Sequence, residues 1–452
     1  MDPKIEQIHA QLKQYGIVDP SAPIYLEKLV WLDDADKSKV DKLRRKLANR
    51  LHYLCRLGQQ EFDWSIYINQ DKYWLPLLTD IQWQTVLSTH FGNDVSALAV
   101  SLCKYIRLHA LELPFACRDS ANLPQLFSQF VAQKYDFNQH GLAPRTNHYK
   151  PIADHFQWRN RAQTYSEHGI HSPFSLWTTA PVEDLAAEAV KSFRCRKPAE
   201  NGLTRHIYIG FLEQHPNTVC GSFPLPAASA VFNHFNAHNV LDFAAGWGDR
   251  LAAFWATPSA HLYIGADPNL ALHPCYVQQC LTYDRWLYTG PLDAYVAPVV
   301  VEDKDQNVIV VRSQMLNINC VFVALPAEDV PNWAALPCFE PVDLVFTSPP
   351  YFNKERYAKH TVWVKEQSWS RYTTQKAWHD SFLMPVLHAI VTTAMAPSAH
   401  LCLNVARKLV SVEEICAKTG LAYVREYNIN LSRNYNVKKN PYKEPIYVFN
   451  KI

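Results

Sequence analysis

Four short apolar segments, each ending in a turn of small, acidic or proline residues, constrain the fold of the second half of the chain more than any other feature. The segments begin at Asn239, Leu262, Cys320 and Val342. Short apolar runs bounded by turn residues are typical of strands buried in a parallel sheet. Such a sheet needs helices on both faces, so the pattern predicts a doubly wound α/β domain.

The turns after the first two segments predict a nucleotide-type ligand. The first segment runs into Asp-Phe-Ala-Ala-Gly-Trp-Gly at residues 242–248. Gly246 and Gly248 permit a tight turn and the close approach of a ligand, while Asp242 at the strand end can reach ligand polar groups. The second segment ends at Asp267, where a carboxylate can accept both hydroxyls of a ribose. The turn departs from G-x-G-x-x-G, which disfavours a dinucleotide.

The fourth segment ends in Ser348-Pro349-Pro350-Tyr351, a rigid turn rich in hydrogen-bond acceptors. Each proline lacks an N–H and holds its carbonyl in one direction. Acceptors around an exocyclic amino group favour a tetrahedral nitrogen whose lone pair can attack an electrophilic methyl group. Tyr351 can stack on a base that has left its duplex. The alternative is a surface polyproline turn that binds an SH3 or WW domain.

Three motifs carry a family resemblance: residues 242–248, Ala-Asp-Pro-Asn at 266–269 and Thr-Ser-Pro-Pro-Tyr at 347–351. In this order they resemble the motifs of S-adenosylmethionine-dependent DNA amino-methyltransferases, and the likeness extends over residues 217–452. It implies a Rossmann-like class I methyltransferase domain with S-adenosyl-L-methionine as cofactor. The implied catalytic residues are Ser348, Pro349, Pro350 and Tyr351. The implied cofactor contacts are Phe223, Asp242, Ala244, Gly246, Gly248, Asp267, Pro268, Glu328 and Asp329.

The first residue of Ser-Pro-Pro-Tyr bears on the target atom. Within the family, Ser is commoner among cytosine-N4 enzymes and Asp or Asn among adenine-N6 enzymes, so the resemblance implies site-specific DNA methylation at cytosine N4. Adenine N6 of DNA and structured RNA are the alternatives, and a catalytically idle nucleic-acid-binding regulator is the alternative of another class. Cytosine C5 methylation is disfavoured because Pro274-Cys275 and Pro337-Cys338 lie away from the catalytic turn. The sequence does not distinguish an enzyme with a restriction or modification partner from one with an orphan or phage-protective role. It does not determine the oligomeric state either.

The chain is expected to contain more than the methyltransferase domain at residues 217–452. Helical periodicity predicts a helical domain over residues 1–140, and a loop-rich bridge follows over residues 141–216. An insertion at about 284–319 contains a predicted β-hairpin, which can enter a nucleic-acid groove or cover a sheet edge. Target recognition is expected from the residues before 217, from this insertion or from a partner.

Two segments are candidates for contact with DNA. The formal net charge is only +2, so attraction to a duplex must be local. Residues 37–51 contain seven basic residues against one acid and are predicted to form a helix with a cationic face. Residues 145–161 interleave aromatic and basic side chains, which suits stacked bases and phosphates. The alternatives are a solvated helix face and simple packing of the aromatic rings. The candidate contacts are Arg44, Arg45, Lys46, Tyr149, Trp158 and Arg159.

The composition indicates a two-domain intracellular enzyme. The 452 residues are 48% hydrophobic, which supplies enough apolar surface for a large core. The eleven cysteines lack any C-x-x-C pair and are expected to be reduced thiols, and no metal site is predicted. There is no apolar run of about eighteen residues and no signal-peptide pattern. A soluble cytoplasmic protein without membrane partners is therefore expected.

Overall fold

The structure of the protein is a computed structural model. It describes residues 64, 80–108, 122–165, 171–195, 219–330, 332–353, 355–357, 359, 361–431 and 442–452. The predicted cationic helix, with Arg44, Arg45 and Lys46, lies outside the described residues. None of the described helices is both long enough and apolar enough to cross a membrane.

Thirteen α-helices are labelled among the described residues. They are α1 (Asp80–Phe91), α2 (Val95–Leu108), α3 (Leu123–Val131), α4 (Pro151–Gln163), α5 (Pro173–Thr179), α6 (Val182–Cys195), α7 (Leu225–His234), α8 (Asp249–Trp255), α9 (His273–Leu287), α10 (Ser368–Arg371), α11 (Gln375–Trp378), α12 (Met384–Thr393) and α13 (Val412–Thr419). A π-helical turn, His379–Leu383, joins α11 to α12.

Ten strands are described and belong to one sheet. They are β1 (Leu142–Ala143), β2 (Asn239–Asp242), β3 (Leu262–Ala266), β4 (Val299–Asp303), β5 (Val308–Ser313), β6 (Ile318–Val323), β7 (Val342–Thr347), β8 (Met395–Asn404), β9 (Leu421–Leu431) and β10 (Tyr442–Lys451). Their order across the sheet is β1-β9-β10-β8-β7-β2-β3-β6-β5-β4.

The chain divides into two compact units. One comprises Met1–Pro114 with Phe174–Pro216, and the other comprises Phe115–Pro173 with Asn217–Ile452. The predicted boundary between residues 216 and 217 coincides with an edge of this division, whereas the predicted boundary at residue 140 does not, because residues 122–165 belong to the sheet-containing unit. In the first unit α2 buries Leu98, Leu102 and Ile106, which recur at helical spacing and line one face.

The strand order of the second unit identifies its fold. Strands β6, β3, β2, β7 and β8 are parallel neighbours, and β10 enters antiparallel between β8 and β9. Numbered along the chain without β1 and the hairpin, the order is 3-2-1-4-5-7-6. The prediction of a doubly wound, Rossmann-like α/β domain is confirmed, and the described residues before 217 are mainly helical. The order reverses between β2 and β7, and ligands of such sheets bind outside the carboxyl ends at this point.

The inserted hairpin extends one end of the sheet. Strand β4 pairs antiparallel with β5, and β5 pairs antiparallel with β6. The hairpin therefore covers the edge of β6, and the start of the predicted insertion belongs to α9. Strand β4 forms the outer edge and carries three partly exposed valines, Val299, Val300 and Val301.

The segment that contains α3 and α4 packs on the same face of the sheet as α7, α8 and α9. The ring of Phe127 on α3 stacks on Tyr283 of α9 with 4.8 Å between centroids. Tyr283 donates a hydrogen bond to the Ile152 carbonyl at 3.2 Å, and Gln157 donates to the Leu272 carbonyl at 3.2 Å. This segment therefore supports the chain that follows β3. Helices α12 and α13 pack on the opposite face.

Candidate cofactor and catalytic site

A cavity of about 230 Å³ lies at the carboxyl ends of the central strands, where the strand order reverses. Both predicted loops reach it. Ten of the residues that the sequence singled out line the cavity: Phe223, Ala244, Gly246, Asp267, Pro268, Glu328, Ser348, Pro349, Pro350 and Tyr351. Three others, Asp242, Gly248 and Asp329, are not among the described lining residues.

Asp242 is fully buried below the cavity, where its hydrogen bonds connect the elements that form the site. Its carboxylate accepts hydrogen bonds from Arg250 Nε at 2.6 Å, Tyr263 Oη at 2.8 Å and Thr347 Oγ1 at 2.9 Å. Arg250 also donates to the Ala244 carbonyl. The expected direct contact of Asp242 with the ligand is therefore corrected, because internal donors occupy its carboxylate. Its bonds join the cofactor turn, β3 and the end of the catalytic strand.

The two glycines of the cofactor turn have different roles. Both have positive φ, +58° at Gly246 and +72° at Gly248, which favours glycine. Gly246 lines the cavity, and its carbonyl accepts a hydrogen bond from Tyr276. Gly248 is the N-cap residue of α8 and is not among the lining residues, and a Cβ there would overlap the buried Gln279 carboxamide. Its expected contact with the ligand is replaced by close packing inside the turn.

Asp267 lines the cavity with a carboxyl group whose protonation depends on opposing effects of burial and hydrogen bonding. Its two oxygens accept hydrogen bonds from the backbone N–H groups of Asn269 at 2.9 Å and Gly246 at 3.2 Å. Burial raises the pKa of Asp267 to about 7, although these two hydrogen bonds lower it. The carboxyl group is therefore partly protonated near neutral pH and gains charge as the pH rises.

The acidic pair after β6 is split between the cavity and the surface. Glu328 lines the cavity, and its Oε1 accepts hydrogen bonds from Arg371 Nη1 at 2.7 Å and Tyr372 Oη at 2.6 Å. Asp329 turns outward and accepts from Arg371 Nη2 at 2.5 Å. Its expected contact with the cofactor is corrected, because its carboxylate is engaged by Arg371 at the protein surface. Of the two carboxylates, only that of Glu328 lines the cavity.

The catalytic turn is anchored at its second proline. The Pro350 carbonyl accepts hydrogen bonds from Trp378 Nε1 at 2.8 Å and Ser368 Oγ at 3.4 Å. Ser348 and Pro349 line the cavity on the other side of this anchor. The protein thus uses one proline carbonyl to fix the turn and directs the preceding residues toward the ligand.

The hydroxyl group of Tyr351 is held from two sides. The backbone N–H of Ala406 donates to Tyr351 Oη at 3.0 Å, and Tyr351 Oη donates to Glu444 at 3.4 Å. These bonds limit rotation of the ring before any target arrives. A fixed aromatic face suits stacking on a flat base.

Phe223 is oriented by a carboxylate that the sequence analysis did not single out. Its backbone N–H donates to Asp249 at 3.0 Å, and the Arg250 guanidinium carbon lies 5.4 Å from its ring centroid. Burial raises the pKa of Asp249 to about 7, and Asp154 adds to this effect while Arg161 opposes it. Asp249 is the first residue of α8 and directly follows Gly248, and this position next to the cofactor turn was the available signal.

A second group missed by sequence reasoning lies between the catalytic turn and Phe223. Glu355 accepts a hydrogen bond from the Gly221 N–H at 3.2 Å and another from the Tyr357 hydroxyl. Trp247 Nε1 donates to the Gly221 carbonyl at 3.0 Å. All four residues line the cavity. No local pattern marks Glu355 as a site residue, since its partner Gly221 lies 134 positions away.

The cavity lining is strongly acidic. Its only basic residue among the described lining side chains is Arg250, whose guanidinium is bonded to Asp242. Such a field attracts a cationic ligand and repels phosphate. The acidic lining residues are Asp249, Asp267, Glu328, Glu355, Glu366 and Glu444.

The aromatic and basic segment is only partly available for contact with nucleic acid. Tyr149 is 4% exposed, and its hydroxyl accepts a hydrogen bond from Gln133 at 2.8 Å. The prediction that Tyr149 contacts a base is wrong, because its ring packs against Phe130 instead. Trp158 is half-buried and Arg159 is exposed, with its guanidinium carbon 5.2 Å from the Trp158 ring centroid. These two residues stay predicted contacts.

One group of possible metal ligands occurs in the described part of the chain. His379, Asp380 and Glu414 offer ligand atoms within 4.8 Å of one another. Each carboxylate also forms an ion pair of 2.5 Å with a surface lysine, Asp380 with Lys376 and Glu414 with Lys418. These lysines already balance the two negative charges.

Neither family models nor curated proteins match the chain. Among solved structures, TrmN from Thermus thermophilus is similar with a TM-score of 0.30 and 14% identity over 51% of this chain. The similar region covers 50% of TrmN, so the chain matches about half the length of that protein. A putative RNA methyltransferase, PH1948 from Pyrococcus horikoshii, has a TM-score of 0.27 and 12% identity over 50% of this chain and 81% of its own.

Proposed function

We propose that the protein is an S-adenosylmethionine-dependent amino-methyltransferase that acts on DNA, with cytosine N4 as the target. The observation that carries the proposal is the meeting of two loops in one cavity. The turn at residues 242–248 and the turn at residues 348–351 both contribute lining residues. Their strands are adjacent, and the Asp242–Thr347 hydrogen bond joins them.

The described residues fit the adenine, the ribose and the sulfonium centre of the cofactor. The close backbone approach at Gly246 leaves room beside Asp267, whose carboxylate can accept hydrogen bonds from the ribose hydroxyls. Glu328 can accept from the amino group of adenine. The acidic lining favours a sulfonium cation. When bound, the cofactor supplies the electrophilic methyl group.

The catalytic turn prepares the nucleophile by position and polarity. Ser348 Oγ and the Pro349 carbonyl can accept the two N–H bonds of a base amino group while Tyr351 stacks on the ring. The nitrogen lone pair then forms the new N–C bond as the S–C bond breaks. The amino proton becomes acidic as nitrogen gains the methyl group, and it leaves to solvent. No strong general base is required.

Cytosine N4 is proposed because Ser occupies the first position of the Ser-Pro-Pro-Tyr turn, by resemblance to the amino-methyltransferase family. The same cavity can receive adenine N6 of DNA or a base of structured RNA. A catalytically idle regulator that binds nucleic acid is the candidate of another class. The intact Ser348 and Tyr351 favour an active enzyme over this last candidate.

The proposal is tested by mass spectrometry of nucleosides from DNA and RNA incubated with the protein and labelled S-adenosylmethionine. N4-methylcytosine in DNA is expected, whereas N6-methyladenine or a modified RNA base would support an alternative target. The Ser348→Ala variant is the matched control for transfer that depends on the turn. Binding of nucleic acid without any labelled nucleoside, across varied DNA and RNA sequences, would overturn the proposed activity in favour of the regulator.

A further inference from the structure

Arg371, at the end of α10, gathers three carboxylates beside the cavity. Its guanidinium lies 2.7 Å from a Glu328 oxygen, 2.5 Å from an Asp329 oxygen and 3.3 Å from a Glu366 oxygen. The neighbouring Tyr372 donates to the same Glu328 oxygen as Arg371, at 2.6 Å. Charge-assisted bonds of this length are strong and directional, so the Glu328 carboxylate is held in one orientation.

The orientation leaves one carboxylate oxygen for a ligand. Both donors reach Oε1 of Glu328, and no hydrogen bond among the described residues ends on its Oε2. The Glu328 side chain is 10% exposed and lines the cavity. An ionised carboxylate only accepts hydrogen bonds. Oε2 is therefore fitted to a donor group on the ligand.

The same short helix also reaches the catalytic turn. Ser368, the first residue of α10, donates to the Pro350 carbonyl at 3.4 Å, and Arg371 is the last residue of that helix. Only two residues of helix separate Ser368 from Arg371. Helix α10 therefore contacts both Glu328 and the turn that carries Ser348 and Tyr351.

We propose that Arg371 and Tyr372 clamp Glu328 so that it selects a 6-aminopurine in the cofactor, and that α10 couples this contact to the catalytic turn. The inference rests on the proposed function. It adds the residues that make the adenine-binding part of the cofactor site selective for a 6-amino group. A carboxylate fixed as an acceptor rejects a purine with a carbonyl oxygen at position 6, because two acceptors repel each other. Arg371 acts through Glu328 and is a positioning residue.

The selectivity is measured by calorimetry of the full chain with S-adenosylhomocysteine and with S-inosylhomocysteine, which has oxygen in place of the 6-amino group. The wild-type protein is expected to prefer the adenosine compound by about tenfold or more, since the wrong purine leaves a buried acceptor unpaired. Arg371→Met is expected to reduce that preference to about threefold or less. Lys376→Met is the matched control, because it removes an exposed lysine outside the cavity and should keep the wild-type ratio.

Two further variants test the orientation of the Glu328 carboxylate without removing Arg371, whose loss can also affect folding. Tyr372→Phe removes one of the two donors to Glu328 and should give an intermediate ratio. Glu328→Gln should abolish the preference, because its amide can donate to the purine oxygen as well as accept. A wild-type ratio in Arg371→Met would overturn the clamp. If that variant does not fold, a wild-type ratio in folded Tyr372→Phe and Glu328→Gln together overturns it.

The coupling is measured by hydrogen exchange of residues 348–353 with and without saturating S-adenosylhomocysteine. The wild-type protein should gain protection there when the ligand binds, and Arg371→Met should not. Equal protection in both proteins would overturn the role of α10. Failure of the wild-type protein to bind the ligand at all would overturn the proposed function itself, whereas binding and methyl transfer with an unaffected Arg371 variant would overturn only this inference.

Discussion

The Thr347 hydroxyl donates a hydrogen bond of 2.9 Å to the carboxylate of Asp242, which lies 105 residues earlier in the chain. Both side chains are fully buried. The bond joins the last residue of the strand that leads to the catalytic turn with the last residue of the strand that leads to the cofactor turn. The relative position of the two loops is thus determined in the interior, below the cavity.

Thr347→Val should misplace the catalytic turn while the protein still folds. The variant leaves a buried carboxylate with one donor fewer, which should reduce the free energy of unfolding by about 1–3 kcal/mol in urea titrations. Methyl transfer should fall more than cofactor affinity. Thr392→Val, at an exposed threonine of α12, is the control and should change the free energy of unfolding by less than about 0.5 kcal/mol. Equal stability of the two variants would contradict the role of this bond.

Cofactor affinity should depend on pH through Asp267. Because the pKa of its carboxyl group is raised to about 7, the group is mainly ionised above that pH and protonated below it. Ribose hydroxyls bond the ionised form more strongly, so the dissociation constant should rise about tenfold for each pH unit below the pKa. Binding should release protons, which calorimetry in buffers of different ionisation enthalpy would detect.

Asp267→Ala should weaken S-adenosylmethionine binding by about 1.5 to 3 kcal/mol above pH 7. Asp267→Asn should remove the pH dependence. Asp249 also has a pKa of about 7, so Asp249→Asn is the matched control. If the pH dependence of binding survives in Asp267→Asn but disappears in Asp249→Asn, the titrating group is Asp249 and the prediction for Asp267 is wrong.

Ser348→Ala should separate chemistry from cofactor binding. The hydroxyl is proposed to accept a hydrogen bond from the target amino group, so its loss should slow transfer by about tenfold or more. The dissociation constant of S-adenosylmethionine should change by less than about twofold, since the proposed cofactor contacts lie elsewhere in the cavity. Single-turnover rates and calorimetry measure the two effects. A matching loss of cofactor affinity would place Ser348 beside the cofactor instead.

Trp158 and Arg159 offer a paired test of nucleic-acid contact on α4. Arg159→Ala should weaken DNA binding on all sequences and reduce the log-log salt slope by roughly 0.9, because one phosphate contact is lost. Trp158→Phe keeps an aromatic ring and should preserve most of the affinity. Trp158→Ala should weaken binding with little change in slope if the indole stacks on a base. Fluorescence anisotropy over a range of salt concentrations measures both quantities. Wild-type affinity and salt slope in every variant would mean that α4 does not contact DNA.

The sequence alone determined the central strands, the glycine-containing turn and the acceptor-rich turn. Apolar runs and turn residues are local signals, since their backbone preferences act within a few positions. The positive φ of Gly246 and the proline carbonyls after Ser348 belong to this class. The order of these elements was sufficient to predict the fold class and the loops that line the cavity.

Only the tertiary structure decided which side chains face the cavity. Asp242 stands at a predicted position, yet buried donors from three other segments engage its carboxylate. Tyr149 lies in a segment suited to nucleic acid, but packing of α3 and α4 against α9 buries its ring. Arg371 and Glu328 meet across 43 positions of sequence. Such contacts arise from long-range packing and desolvation, which no local pattern of residues encodes.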